Sequence, residues 1–159
     1  MKIAICPGSY DPVTKGHIDI INRAVRLFDK VIVLLLVNPL KTPVFSEEER
    51  LEFLNICLKD NENVEVMLFS GLLADFVEQS GACAIVKGLR AVTDFEYEFQ
   101  MALANKQLNS AAETVFLPAS GENMYLSSSL VRQIARFGGD VRDFIAPEIA
   151  ERVLAKFKN

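Results

Sequence analysis

A chain of 159 residues, 50% hydrophobic and 24% charged, can bury one core of ordinary size, and residues 1–159 are expected to form a single domain. The formal net charge of −4 sets the molecule against long polyanions such as nucleic acid, yet permits a small anionic ligand where basic residues converge. The longest purely apolar run, Val31 to Val37, is far short of the roughly 20 residues that span a bilayer, and Pro7 and Gly8 interrupt MKIAIC before a secretory leader could form; no membrane association and a cytoplasmic location are expected.

The first strand is predicted at Ile3 to Cys6. It runs into PGSYDPVTKGH, which holds two prolines, two glycines and the one histidine of the sequence, and then into the helical pattern HIDIINRAVRLF. Val31 to Val37 has no polar alternation, as expected of a strand covered on both faces. After it come NPLKTPVF, with Lys41, and a capping box of Ser46 and Glu49 before RLEFLNICLK. A third strand is predicted at Val64 to Phe69, followed by the helix GLLADFVEQS, which Gly81 closes. The fourth, Ala84 to Val86, ends in VKGLR, and Thr93 with Glu96 predicts a second capping box before YEFQMALANKQL. The fifth, Thr114 to Leu117, leads through a Gly-Glu-Asn turn to LSSSLVR and a helix ended by Gly138 and Gly139; Pro147 opens the last helix, through EIAERVLAKF. Cys6, Cys57 and Cys83 are odd in number and lack CxxC spacing, and they read as buried free thiols of a reducing compartment.

Five strand–helix units point to an α/β doubly wound parallel sheet with a C-terminal helix added. Two right-handed windings outward from the first strand give the order 3-2-1-4-5 and open a crevice between strands one and four. The loops that meet there are PGSYDPVTKGH and KGLRAVT. His17 in a first helical turn gains nothing from the helix dipole as a solvent-facing cation, but serves an anion as an imidazole donor. Lys87 and Arg90 flank Gly88, whose bare backbone would allow close approach of a phosphate, and Lys41 can reach the same edge. One serine of Ser127, Ser128 and Ser129 suffices as a cap, and three suggest a phosphate cradle. Glu98, one turn beyond Asp94, reads equally well as part of a wet helix face.

GSYDPVTKGH resembles the GxFDPxTxGH signature of the nucleotidyltransferase superfamily, and FSEEER, KGLRAVTDFEYE and LSSSLVR follow in the order and spacing of the bacterial phosphopantetheine adenylyltransferases. The likeness spans essentially the whole chain, and Thr14 in place of the first histidine of HxGH favours this branch over the NAD- and CDP-glycerol-forming enzymes. Tyr10 stands where phenylalanine is common, and Lys87 where arginine is often found; lysine keeps the charge without the bidentate fork. The resemblance implies a Rossmann-like fold and AMP transfer from ATP to phosphopantetheine. It implies His17, Lys41 and Arg90 as catalytic groups. It implies ATP contacts from Ser9, Tyr10, His17, Gly88, Leu89, Arg90, Glu98, Asn123, Met124, Tyr125, Leu126, Ser127, Ser128 and Ser129, and acceptor contacts from Ser9, Lys41, Leu73 and Lys87. It further implies magnesium with no protein ligand set, a homohexamer, and feedback inhibition by coenzyme A. The competing readings are a related enzyme with another phosphorylated acceptor, such as nicotinamide mononucleotide, and a flavodoxin-like nucleotide-binding module without catalysis; a tRNA synthetase fragment fits less well.

Overall fold

Strands and helices alternate where the hydrophobic periods place them. They are β1 (Ile3–Gly8), α1 (Lys15–Val25), β2 (Lys30–Leu36), α2 (Glu47–Leu58), β3 (Val64–Phe69) and α3 (Leu73–Ser80). Then follow β4 (Ala84–Leu89), α4 (Val92–Leu108), β5 (Thr114–Pro118), a 3-10 turn (Gly121–Asn123), α5 (Ser128–Arg136) and α6 (Pro147–Ala155). The structure, a computed structural model, describes residues 1–158, without the side chains of Val92 and Thr93. All strand pairs are parallel and the order is β3-β2-β1-β4-β5, as the winding argument requires.

Alternate residues of the central strands feed opposite layers, because successive side chains of a strand point to opposite faces. Ala4, Cys6, Val31, Val33 and Val86 join the core beneath α1, α2, α5 and α6, whereas Ile5, Ile32, Leu34 and Ile85 pack with Phe76 and Val77 of α3. Ser46 and Glu49 form the expected capping box, Gly81 ends α3 in the left-handed region, and Pro147 occupies the first turn of α6. The box expected from Thr93 falls on a side chain outside the described residues; the backbone starts α4 earlier, with Ala91 at the N-cap and no side-chain cap. Of the cysteines only Cys6 is buried. Cys57 is half-buried, and Cys83, just before β4, is exposed between buried Ala82 and Ala84.

One departure from the expected bounds positions the site. β1 continues through Pro7 and Gly8, which pair with Leu34 and Leu35 of β2. On its other side β1 pairs with β4 only at Ala4 and Ile5. Pro7 has no N–H to offer a ladder, so the two strands part there and leave a crevice at their carboxyl ends. Among the described residues no helix is long and apolar enough to cross a membrane.

Candidate active site

Between β1 and α1 the chain turns sharply at Tyr10, a non-glycine residue held at φ 47. Its hydroxyl donates to the Cys6 carbonyl at 2.7 Å, which satisfies a polar group on a ring only 4% exposed. The ring lies over Gly8, where a Cβ would sit 3.0 Å from Tyr10 Cζ, so a bare backbone is needed there. The same ring meets His17 edge-on, with centroids 5.0 Å apart. Tyr10 thus packs beneath the imidazole, and its hydroxyl is committed to the fold.

Thr14 caps α1 and fixes the histidine from behind. Its Oγ1 accepts from the His17 backbone N–H, while its own N–H donates to His17 Nδ1 at 3.0 Å. A ring nitrogen that accepts a backbone N–H carries no proton, so the neutral ring holds its proton on Nε2. Burial, then the charges of Lys87 and Arg90, push the His17 pKa down to about 4. The imidazole is therefore neutral at neutral pH, a hydrogen-bond donor and not a cation. The unfolded chain binds a proton near the ordinary 6.5 that the folded ring refuses until about 4, so stability should fall as pH drops through that window. The whole shift corresponds to about 3 kcal/mol, and His17→Gln should lose that share of the pH dependence in denaturant titrations at pH 7.5 and 4.5.

Lys87 and Arg90 emerge where β4 ends, each met by a carboxylate of α4. Lys87 Nζ is 3.2 Å from Glu98 Oε1, and Arg90 Nε is 3.0 Å from Asp94 Oδ2. Arg90 Nη1 also donates to the Leu126 carbonyl at 2.9 Å, which ties β4 to the segment before α5. Glu98 therefore faces the site and not open water. Gly88 is explained first by packing: a Cβ there would come 2.8 Å from Ile20 Cγ1 of α1. Gly88→Ala should destabilise by about 1–3 kcal/mol, and in an Ile20→Ala background, where that carbon is gone, the penalty should largely vanish in urea titrations.

Of the three serine hydroxyls one commits its proton within the protein, and two only accept. Ser127 Oγ accepts from the Leu130 N–H, Ser128 Oγ donates to the Pro12 carbonyl at 2.7 Å, and Ser129 Oγ accepts from Arg132. What the start of α5 offers an anion is the N–H groups of Ser128 and Ser129 together with the hydroxyl protons of Ser127 and Ser129. Arg132, at the end of LSSSLVR and unassigned from the sequence, lines the same cleft and donates to the Asp11 carbonyl at 2.6 Å. Asp11 is a hub: its carboxylate accepts from the Val44 and Phe45 N–H groups at 3.0 and 2.9 Å and lies 3.6 Å from Arg132. Arg50, 4% exposed, donates to the Ser9 and Ser46 carbonyls. The loop bearing Lys41 is thereby hooked to the loop bearing His17. Asp11→Ala, which takes the acceptor from the buried Phe45 N–H and the part-buried Val44 N–H and the carboxylate from Arg132, should cost about 2–4 kcal/mol in denaturant titrations.

These elements surround a cleft of about 1290 Å³. Ser9, Tyr10, His17, Lys41, Leu73, Lys87, Gly88, Arg90, Glu98, Asn123, Leu126, Ser127, Ser128 and Ser129 all line it. Leu89, Met124 and Tyr125 do not: Met124 and Tyr125 are exposed, and the Tyr125 ring packs against Phe144. An arm of the cleft runs along α4, where Leu73, Met101, Ala102 and Leu108 supply apolar surface. In that arm Asn105 is 8% exposed and no hydrogen bond reaches its side-chain amide among the described residues. Thr114, which also lines the cleft, has its Oγ1 buried without a partner among the described residues. Apart from Leu73, which the resemblance names, the residues of this arm carry no motif and were not found from the sequence. Among the described residues no group of three His, Cys, Asp or Glu side chains comes together to hold a metal ion.

Comparison with known proteins gives a consistent picture. The Cytidylyltransferase-like family matches residues 5–134. A phosphopantetheine adenylyltransferase of Caldanaerobacter subterraneus subsp. tengcongensis is 57% identical over 158 residues, covering 99% of each chain. One from Heliobacterium modesticaldum is 50% identical over 157 residues, covering 99% of this chain and 94% of the other. Among solved structures, a nicotinic acid mononucleotide adenylyltransferase of Plasmodium falciparum in complex with NaAD superposes with a TM-score of 0.68 at 14% identity, over 99% of this chain and 98% of that one. That last likeness is one of fold.

Proposed function

The chain belongs to the cytidylyltransferase-like nucleotidyltransferases, and from that premise we propose that it transfers AMP from ATP to 4'-phosphopantetheine, giving dephospho-coenzyme A and pyrophosphate in coenzyme A biosynthesis. The observation that carries this reading is the form of the cleft. Its mouth gathers His17, Lys87, Arg90 and Lys41, and its arm is apolar with an unpaired amide at Asn105. A phosphate joined to an extended, mostly apolar chain with internal amides suits such a site. A second nucleotide would not use the arm.

The acceptor's phosphate oxygen attacks the α-phosphorus of ATP in line, the bond to the β-phosphate's bridging oxygen breaks, and pyrophosphate leaves with that oxygen. The nucleophile is already anionic, so no side chain has to take a proton. His17 donates from Nε2 to an α-phosphate oxygen as charge accumulates there. Lys41, Lys87 and Arg90 lessen the repulsion between two phosphorylated reactants, and Ser9 stands between them. Leu73 and Lys87 face the acceptor. Gly88 to Arg90 and Asn123 to Ser129 border the nucleotide, with the start of α5 nearest its phosphates; Leu89, Met124 and Tyr125 reach it only through backbone or by movement. With no carboxylate cage among the described residues, Mg2+ would be held by the phosphates and water, and would neutralise charge when bound.

Several exposed apolar residues of α4, among them Phe95, Phe99 and Leu103, form a patch suited to self-association, and the assembly we expect is a homohexamer. Coenzyme A, which shares the product's pantetheine arm and nucleotide, is expected to compete for the cleft as a feedback inhibitor. The free cysteines agree with a cytoplasmic setting. The decisive experiment is pyrophosphate release from ATP, acceptor by acceptor. Phosphopantetheine should support turnover and nicotinamide mononucleotide should not; binding without turnover on any acceptor would point to the non-catalytic module.

A further inference from the structure

Lys87 and Glu98 meet at 3.2 Å, with side-chain exposures of 25% and 20%. Asp94, one helical turn before Glu98, treats Arg90 the same way. An ammonium on a flexible four-carbon stem swings readily toward water, and a carboxylate at this distance holds it in place. The same carboxylate repels an anion that comes to the ammonium. Lysine sharpens the conflict, because a compact point charge engages one oxygen group well, whereas a guanidinium fork can hold two. The resemblance implies an ATP contact for Glu98, and within the protein its ion-pair partner is Lys87.

We propose that Glu98 is the counter-charge of the acceptor-phosphate site, holding Lys87 in position and restraining the affinity for the acceptor's phosphate. This rests on the reading that the acceptor's phosphate meets Lys87. Glu98 then acts through Lys87 as a positioning residue and touches neither reacting atom.

The test is calorimetric titration of wild type and Glu98→Gln with phosphopantetheine and, separately, with a non-hydrolysable ATP analogue. The near-isosteric variant should bind phosphopantetheine at least fivefold more tightly, bind the analogue within twofold of wild type, and lose part of its gain at high salt. Glu98→Ala should shift acceptor affinity in the same direction, which guards against a folding artefact of one variant. Unchanged or weaker acceptor binding, or a loss confined to the ATP analogue, overturns the proposal. If wild type binds the analogue but not phosphopantetheine, the acceptor reading fails on its own. Inorganic phosphate titrated into both proteins then decides for the counter-charge, with tighter binding in Glu98→Gln supporting it and equal binding rejecting it.

Discussion

Replacing His17 with alanine is expected to lower kcat at least about a hundredfold while changing the affinity for an ATP analogue only a few-fold. The asymmetry follows from where the ring sits and what it can do. Thr14 holds Nδ1 from behind, so the imidazole has one proton to give, from Nε2, at a fixed position. A fixed donor matters most where charge grows during the reaction, on the oxygens of the five-coordinate phosphorus, and less to ATP already bound by other groups. Because its pKa lies near 4, the ring stays a neutral donor through pH 5 to 8, and kcat should show no limb near the ordinary histidine value. Single-turnover rates of wild type and variant, with analogue binding measured in parallel, check both statements. Near-normal turnover in the variant would remove histidine from the mechanism, and a clear titration near 6.5 would mean that the ring is not held as described.

The sheet was legible because its signals are local. An unbroken apolar Val31 to Val37 announces a strand covered on both faces, and right-handed crossovers then leave one sensible order, which places the first and fourth loops side by side. What the sequence hides is which residues hold those loops. Arg132 reaches Asp11 across 121 positions, and Ser128 reaches Pro12 across 116, distances at which no spacing rule operates. Gly88 between two cations suggests close approach of a phosphate; that its bare backbone also makes room for Ile20 of α1, distant in the chain, leaves no trace in KGLR. The inward turn of Glu98 was hidden for another reason. Phe95, Tyr97, Phe99, Met101 and Leu103 make α4 apolar around its circumference, so periodicity could not say which side faces β4. The places of Asn105 and Thr114 in the cleft were invisible because a missing hydrogen bond is a property of the fold and not of a motif.

Arg90→Ala should reduce kcat/KM by about a thousandfold, and its cause can be separated into charge and geometry. A unit charge about 4 Å from a phosphate is worth on the order of 4 kcal/mol at an effective dielectric of 20, which is about three powers of ten in rate. Removal does more than delete that attraction, because Asp94 loses its cation, keeps only the bond from the backbone N–H at position 90, and turns from partner into repellent. The double variant Arg90→Ala with Asp94→Asn should therefore recover roughly tenfold of the lost activity. Arg90→Lys should recover charge but not the bond from Nη1 to the Leu126 carbonyl, which joins β4 to the start of α5. It is expected to fall between wild type and alanine, with the deficit mainly in the KM for ATP, since the segment it no longer holds borders the nucleotide. Steady-state kinetics on the four proteins, with ATP and acceptor varied in turn, measure each part. If the double variant is no better than Arg90→Ala, Asp94 carries no repulsive share, and the guanidinium acts through the geometry it imposes on Leu126 and not through the field it contributes.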